Sequence, residues 1–320
     1  MFAGTREIIW HKFWNTARPN IRLSLPSIIS IFDAMYYRYE IWRVNKVTTG
    51  IFGHRWRRSV RRLEIDLTYA CNLRCNDCNR SVAQAPSSAH LTARNIREFL
   101  DESIQKRYHW EMIGLLGGEP TLHPEFLSII EMLLMYKKEH ERSLRIEVIT
   151  NGYGIKVNSV LQKIPSGVVV RNTNKKGNEQ DQFEPFNRAP IDLREHANTD
   201  FANGCWVTQY CGMGLTPMGY YHCAVAGGID RIFQAGIGRS SIPEPDDRMH
   251  REMSELCRYC GHFCKQSEAI PREQRITSSW RAAYASLAPA SAHGPLRTNR
   301  LAKREGSGRD RADANAENSA

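Results

Sequence analysis

The sequence predicts an α/β protein in which parallel strands are joined by crossover helices and the chemistry gathers where the strands end. Three observations carry this. Between residues 63 and 172, short apolar runs alternate with amphipathic stretches, the pattern of repeated βαβ units. Each run leads into cysteine, glycine or asparagine: Cys71, then Gly117-Gly118, then Asn151-Gly152, then Asn172. The carboxyl ends of parallel strands are where such folds place binding and catalytic groups. Finally, the nine cysteines fall in two groups, 71–78 and 205–264.

In chain order, residues 1–62 read as a basic, aromatic-rich helical segment. Ile28, Ile29, Ile31, Phe32, Met35, Tyr36, Tyr39 and Trp42 recur at three- and four-residue spacing, so a helix over about 27–46 is expected, with Pro26-Ser27 at its start. Arg55-Trp-Arg-Arg-Ser-Val-Arg-Arg62 follows. Together they suit a membrane surface, an acidic partner or RNA; the plainer reading is a helix closing one end of the domain with a solvated basic rim.

Leu63–Thr68 alternates as a strand should, and Thr92 is placed to cap a helix whose face is Ile96, Phe99, Leu100 and Ile104. Met112–Leu116 is a second strand. Pro124 opens a helix with the stripe Phe126, Ile129, Ile130, Leu133 and Leu134. A third strand over Leu144–Thr150, a short helix near 156–163 and a fourth strand over Val168–Arg171 complete the run. Residues 175–185 are charged and end in proline, a loop over the mouth, and Ile191-Asp-Leu is a candidate fifth strand. The stretch 271–320 is rich in Ala and Arg with few apolar anchors, and reads as a largely disordered tail.

With 320 residues the chain can bury a large core as one large domain or two small ones. No apolar run approaches the roughly eighteen residues that span a bilayer, and His11, Lys12 and Arg18 interrupt any secretory signal. A cytoplasmic location is expected. There nine thiols do not serve as disulfides, and gathered thiols read as ligands of a metal or cluster. The net charge of +10 is uneven: residues 1–62 hold twelve Lys/Arg against three Asp/Glu, residues 281–320 hold seven against four, and the middle is slightly acidic. A nucleic-acid reading of the charge therefore attaches to the ends, not to the body.

Cys71-Asn-Leu-Arg-Cys75-Asn-Asp-Cys78 follows the first strand directly. A structural zinc site normally offers four ligands. Three soft thiolates on one loop suit an iron-sulfur cluster with one iron left without a protein ligand. This C-x3-C-x2-C loop, with Gly117-Gly118-Glu119-Pro120 one βα unit later, resembles the radical S-adenosylmethionine (SAM) enzymes. The resemblance implies a partial (β/α)6 barrel, possibly shortened because only about 30 residues separate the fourth strand from Cys205; either that, or the second cysteine region supplies the closing strands. It also implies a [4Fe-4S] cluster on Cys71, Cys75 and Cys78 whose fourth iron binds SAM. Gly117, Gly118, Glu119 and Pro120 then present backbone acceptors and a carboxylate to the SAM ammonium. Asn151 and Asn172 are candidates for hydrogen bonds to the cofactor or substrate, and Arg171 for a carboxylate, with a structural side-chain bond as the ordinary alternative. Asp77 stands where the family usually has an aromatic against the adenine, which removes that stacking partner. Tyr69, His90 and Tyr108 lie near the mouth in sequence without distinguishing features.

The chemistry implied is reductive cleavage of SAM to a 5′-deoxyadenosyl radical that takes hydrogen from an unreactive C–H bond. The electron comes from a low-potential donor such as flavodoxin or ferredoxin.

The second group comprises Cys205, Cys211, Cys223, Cys257, Cys260 and Cys264. Cys257-Arg-Tyr-Cys260 is a compact C-x2-C pair, and residues 211–223 read as a hairpin turning at Pro217 and Gly219. This resembles the SPASM or Twitch auxiliary-cluster extension of the same family. Six cysteines, with Cys257-x2-Cys260-x3-Cys264, match one auxiliary [4Fe-4S] cluster better than two. Its expected ligands are Cys223, Cys257 and Cys260 with Cys211, or Cys205 in its place; Cys264 is a substitute or spare thiol, and His222 and His262 are weaker candidates. Zinc on the same four thiolates is the alternative occupant.

The expected organisation is thus 1–62, a core at 63–204, an auxiliary subdomain at 205–270 and the tail. The substrate class is a small molecule or a peptide. An RNA-modifying enzyme, and a zinc- or cluster-stabilised nucleic-acid-binding protein without catalysis, are the alternatives, since the basic N-terminus offers an anionic surface or nucleic acid a place to bind.

Overall fold

Strand β1 (Arg62–Thr68) sets the layering through its alternation. Leu63, Ile65 and Leu67 face one side and are fully buried, while Glu64, Asp66 and Thr68 face the other. The computed structural model describes residues 26–177, 186–263 and 274–287. Beside β1 lie β2 (Met112–Gly117), β3 (Arg145–Thr150) and β4 (Val168–Asn172), all parallel, in register through Ile65↔Leu115, Leu115↔Val148 and Val148↔Val170. The crossovers run through α3 (Ala93–Gln105), α4 (Phe126–Glu139) and α5 (Ile155–Leu161). Their apolar stripes cover the Leu63 side of the sheet and form one core with Ile96, Phe99, Ile129, Ile130 and Leu133.

On the far side of β1, β5 (Met213–Thr216) pairs in parallel and β6 (Gly219–Tyr221) folds back antiparallel to it. The sheet order is β4-β3-β2-β1-β5-β6. In place of the expected barrel stands an open, mostly parallel six-stranded sheet: four strands are linked by βα units, and the last pair comes from the second cysteine region. Met213 and Leu215 are buried in the same core as Leu63.

Several boundaries and assignments differ from expectation. Thr92 caps α3 as expected: its hydroxyl accepts the Asn95 N–H at 3.2 Å and Asn95 Oδ1 accepts the Thr92 N–H at 3.0 Å. The stripe ends early, however, because Ile104 is exposed and Ser103 is buried instead, donating to the Phe99 carbonyl and accepting from Trp110 Nε1. Helix α4 begins at Phe126 rather than at Pro124.

Ile191-Asp-Leu is not a strand. Pro190–Asp192 forms a 3-10 turn started by proline, and the Asp192 carboxylate accepts the Ser279 N–H and O–H at 2.9 and 2.7 Å. That contact anchors a helix over Ser278–Leu287 in the stretch expected to be disordered. Trp280, fully buried against Phe186 and Phe233, provides the apolar anchor that composition concealed. Residues 178–185 of the expected mouth loop, 1–25 and 288–320 lie outside the described residues.

The expected N-terminal helix is α1 (Pro26–Arg43), ending a few residues early, and a second helix, α2 (Lys46–Phe52), follows it, capped by Asn45 Oδ1 on the Val47 N–H. Ile31, Met35 and Trp42 of the predicted stripe are exposed. The basic stretch after it is less a solvated rim than expected. Arg58 is buried and donates to the Tyr108 hydroxyl and to the carbonyls of Glu244 and Asp247, and Arg55 pairs with Glu40 at 2.6 Å. Among the described residues no helix is long and apolar enough to cross a membrane.

Two outcomes test this architecture by urea unfolding. Thr92→Ala, which removes a capping box, is expected to cost about 1 kcal/mol, and Phe99→Ala, which leaves a core cavity, about 3–5 kcal/mol. A third concerns His196, buried with Nδ1 3.0 Å from the Thr199 hydroxyl, whose pKa burial pushes down to about 4. The unfolded ring protonates first, so its contribution to stability is intact above pH ~6.5 and is lost as pH falls toward 4. His196→Asn should flatten that part of a stability–pH curve measured by thermal unfolding.

Candidate functional site: two thiol groups at the strand ends

The carboxyl ends of β1, β2 and β3 meet through unusually close backbone approach. Gly118 donates its N–H to the Thr68 carbonyl at 2.7 Å, and Glu119 donates to the Ala70 carbonyl at 2.8 Å. A Cβ on Gly118 would lie 2.2 Å from the Ala70 oxygen, and Gly117, at φ +128°, would bring one 2.4 Å from the Thr68 oxygen. Glycine is required at both positions. The pair thus presses the β2 turn onto the root of the cysteine loop.

Glu119 is fully buried. Its Oε1 accepts the Thr121 hydroxyl and the Thr150 hydroxyl, both at 2.8 Å, and Oε2 accepts the Asn151 N–H at 2.8 Å. This carboxylate, expected to face the SAM ammonium, is engaged in tying β2 to β3. Pro120 starts the 3-10 turn Pro120–Leu122 immediately after it. Asn151 carries the connection onward: its Nδ2 donates to Asn72 Oδ1 at 2.8 Å and stands 3.9 Å from Cys71 Sγ, while its Oδ1 accepts the Tyr153 N–H. Asn172 Oδ1 accepts the Asn174 N–H at the exposed end of β4. Arg171 does meet a carboxylate, that of Glu147 at 3.3 Å.

Cys71, Cys75 and Cys78 are half-buried free thiols on this loop. Burial, and then the neighbouring thiols, push the Cys71 thiol up; Leu73 N–H, which it accepts at 3.4 Å, opposes this. Burial also raises Cys75, opposed by Lys175, whose Nζ is 3.8 Å from its sulfur. The set fits the iron-sulfur group on its donor chemistry and on the glycine cradle beside it. Three soft thiols converge on one loop, and ligation would displace their protons. Asp77 is also half-buried and lies 3.9 Å from Arg275.

Beneath the loop lies a buried charged group that the sequence reading missed. Arg80 pairs with Asp66 at 3.2 Å and Glu64 at 3.4 Å. Burial raises both carboxyl pKa values and Arg80 opposes it. Arg231 donates to the carbonyls of Ala85 and Arg80 and lies over the Tyr69 ring at 4.3 Å. The available signal was Glu64 and Asp66 at alternate positions of an otherwise apolar strand, which announces a polar inner face. Tyr69 is buried below that face, and Tyr108 is core, stacked on Trp110 at 4.6 Å and donating to the Pro243 carbonyl. His90 stays at the edge, with Nδ1 3.1 Å from the Ser88 carbonyl.

The second group is gathered by helix ends. Cys205 precedes α6 (Trp206–Tyr210), Cys223 occupies the N-cap of α7 (Ala224–Phe233), and Cys257 closes α8 (His250–Leu256). Cys205, Cys223, Cys257, Cys260 and His222 line one cavity. Burial first, and the other three thiols after it, hold Cys257 well above the usual thiol range; Cys223 is pushed up to about 12 by burial and then by Cys205, with the Ala226 N–H and Arg80 opposing. Cys211 lies outside this cavity lining: burial and then Glu64 raise its thiol, with Cys223 a smaller influence. Cys205, rather than Cys211, thus shares a cavity lining with the other three, although among the described residues no three Cys, His, Asp or Glu side chains stand close enough together to hold a single metal ion. The hairpin does return toward Cys223, but Cys211 sits below it against β1. His262 also lines the cavity; Cys264 lies outside the described residues.

Residues 65–169, about a third of the chain, match the sequence profile of the Radical SAM superfamily, a family whose resemblance implies a [4Fe-4S] cluster with SAM. The chain is 32% identical over 90 residues to mycofactocin maturase MftC of Mycobacterium tuberculosis, covering 28% of this chain and 21% of that protein. It is 31% identical over 105 residues to GTP 3′,8-cyclase of Haemophilus ducreyi, covering 31% and 28%. The matches therefore span less than a third of these curated relatives. A solved structure of BtrN in complex with AdoMet and 2-DOIA aligns over 67% of this chain and 97% of its own, with a TM-score of 0.43 and 16% identity.

Because its Cβ has nowhere to go, Gly118→Ala should shift the Ala70–Cys78 loop. The expected result is lost iron after anaerobic reconstitution, by at least half, with a far-ultraviolet circular dichroism spectrum close to that of the parent.

Proposed function

We propose that this chain is a radical SAM enzyme that takes hydrogen from a small-molecule or peptide substrate and uses a second [4Fe-4S] cluster as electron acceptor. The observation that carries the reading is the three-thiol loop pressed against the Gly117-Gly118 turn at the ends of parallel strands, with a four-thiol cavity on the adjoining hairpin side of the same sheet. Bound there, the cluster and SAM supply a 5′-deoxyadenosyl radical.

The chain's own residues hold and orient. Cys71, Cys75 and Cys78 ligate the first cluster and leave one iron for SAM. The backbone of Gly117, Gly118 and Pro120, together with Asn151 and Asn172, lines the cofactor side. Glu119 acts from behind, fixing the strand ends through its three hydroxyl and amide donors. Cys205, Cys223, Cys257 and Cys260 ligate the second cluster. Four thiols in one cavity favour a fully ligated acceptor over an open iron that anchors substrate. The electron enters from a low-potential donor of the flavodoxin or ferredoxin kind, and a reducing cytoplasm suits the eight free thiols among the described residues.

The test is anaerobic reconstitution with iron and sulfide, followed by SAM and dithionite. Two clusters per chain and 5′-deoxyadenosine are expected, with 5′-deoxyadenosine abolished in Cys75→Ala. Protein that holds only zinc, or that fails to bind SAM, overturns the reading. Deuterium moved from labelled candidates into 5′-deoxyadenosine then chooses the substrate class.

A further inference from the structure

His222 stands between β6 and Cys223 and opens into the second thiol cavity. Its ring is 1% exposed. Nε2 lies 3.3 Å from Cys257 Sγ, and Nδ1 has no hydrogen-bond partner among the described residues. A buried polar atom left without a partner is costly. An apolar side chain would fill the same space without that cost, since Val225, Ile229 and Leu256 form part of the same wall. Packing therefore does not account for an imidazole here. Among the described residues its polar side-chain contact is to a thiol that the reading above makes a cluster ligand.

We propose that His222 is a positioning residue of the second centre, donating Nε2–H to the Cys257 sulfur and thereby raising that centre's reduction potential. The physical basis is that a hydrogen bond to a ligating sulfur stabilises the more negative, reduced state of an iron-sulfur cluster. The direction matches the role: a centre that must take an electron from a substrate radical needs a potential above that of a centre that must give one to SAM. Arg58, the charge that acts on His222, is committed to Tyr108 and to the Glu244 and Asp247 carbonyls. The imidazole thus stands within hydrogen-bond reach of the sulfur. This inference rests on the second cavity holding iron and sulfide.

The experiment is an electron paramagnetic resonance redox titration of the full chain, reconstituted anaerobically with iron and sulfide. The SAM-responsive signal of the first centre serves as internal control. His222→Phe removes the donor at similar volume, and His222→Gln keeps an N–H of comparable reach. In His222→Phe the second centre's reduced-to-oxidised ratio at fixed potential is expected to fall about tenfold, equivalent to about 59 mV for one electron. His222→Gln should recover most of the shift, and both variants should keep the parent's iron content and first-centre potential. An unchanged second potential in His222→Phe overturns the inference alone. So does loss of the second centre's iron in both variants, which would make His222 a ligand. Zinc in the parent's second cavity overturns the acceptor reading, and the inference with it.

Discussion

A single buried carboxylate organises the candidate site. Glu119 has no solvent to stabilise it, so its position holds only while donors surround it. Those donors come from the turn after β2 and from the last residues of β3. Satisfying the charge therefore fixes one strand end against the next. Asn151, held by its own N–H to Glu119, then reaches Asn72 in the cysteine loop. A charge with no direct contact to the thiols thus sets where they stand.

The inner face of the sheet applies the same logic one layer down. Asp66 and Glu64 are kept in the interior by Arg80, and Arg80's own carbonyl is held by Arg231. Each member is tolerable only because the others are present. The network forms a stiff floor under Cys78, two residues before Arg80. On its other side Glu64 meets Cys211, which lies outside the lining of the second cavity.

The two thiol groups are also joined through the backbone. Pairing β5 to β1 puts the hairpin in the same sheet as the cysteine loop. Gly214 allows that hairpin to pack tightly on α7, where a Cβ would lie 2.4 Å from the Ala224 Cα. Cys223 at the start of α7 is consequently held rigidly relative to β1.

Local chemistry was legible in the chain by itself. The alternation of Leu63–Thr68, the cap at Thr92, the glycine pair and the C-x3-C-x2-C loop depend on neighbours within a few residues, so period and spacing suffice to read them. Distance in sequence hid the rest. Ile191-Asp-Leu has strand-like residues, yet Pro190 and the reach of Asp192 to Ser279 make it a turn. Trp280 looks like part of a tail until Phe186 and Phe233 enclose it. Glu119's partners, Arg80's carboxylates and the choice of Cys205 over Cys211 are set by which buried charges and thiols meet across the sheet. Spacing decides which groups are available, and desolvation, acting only once the strands are assembled, decides which of them face one another.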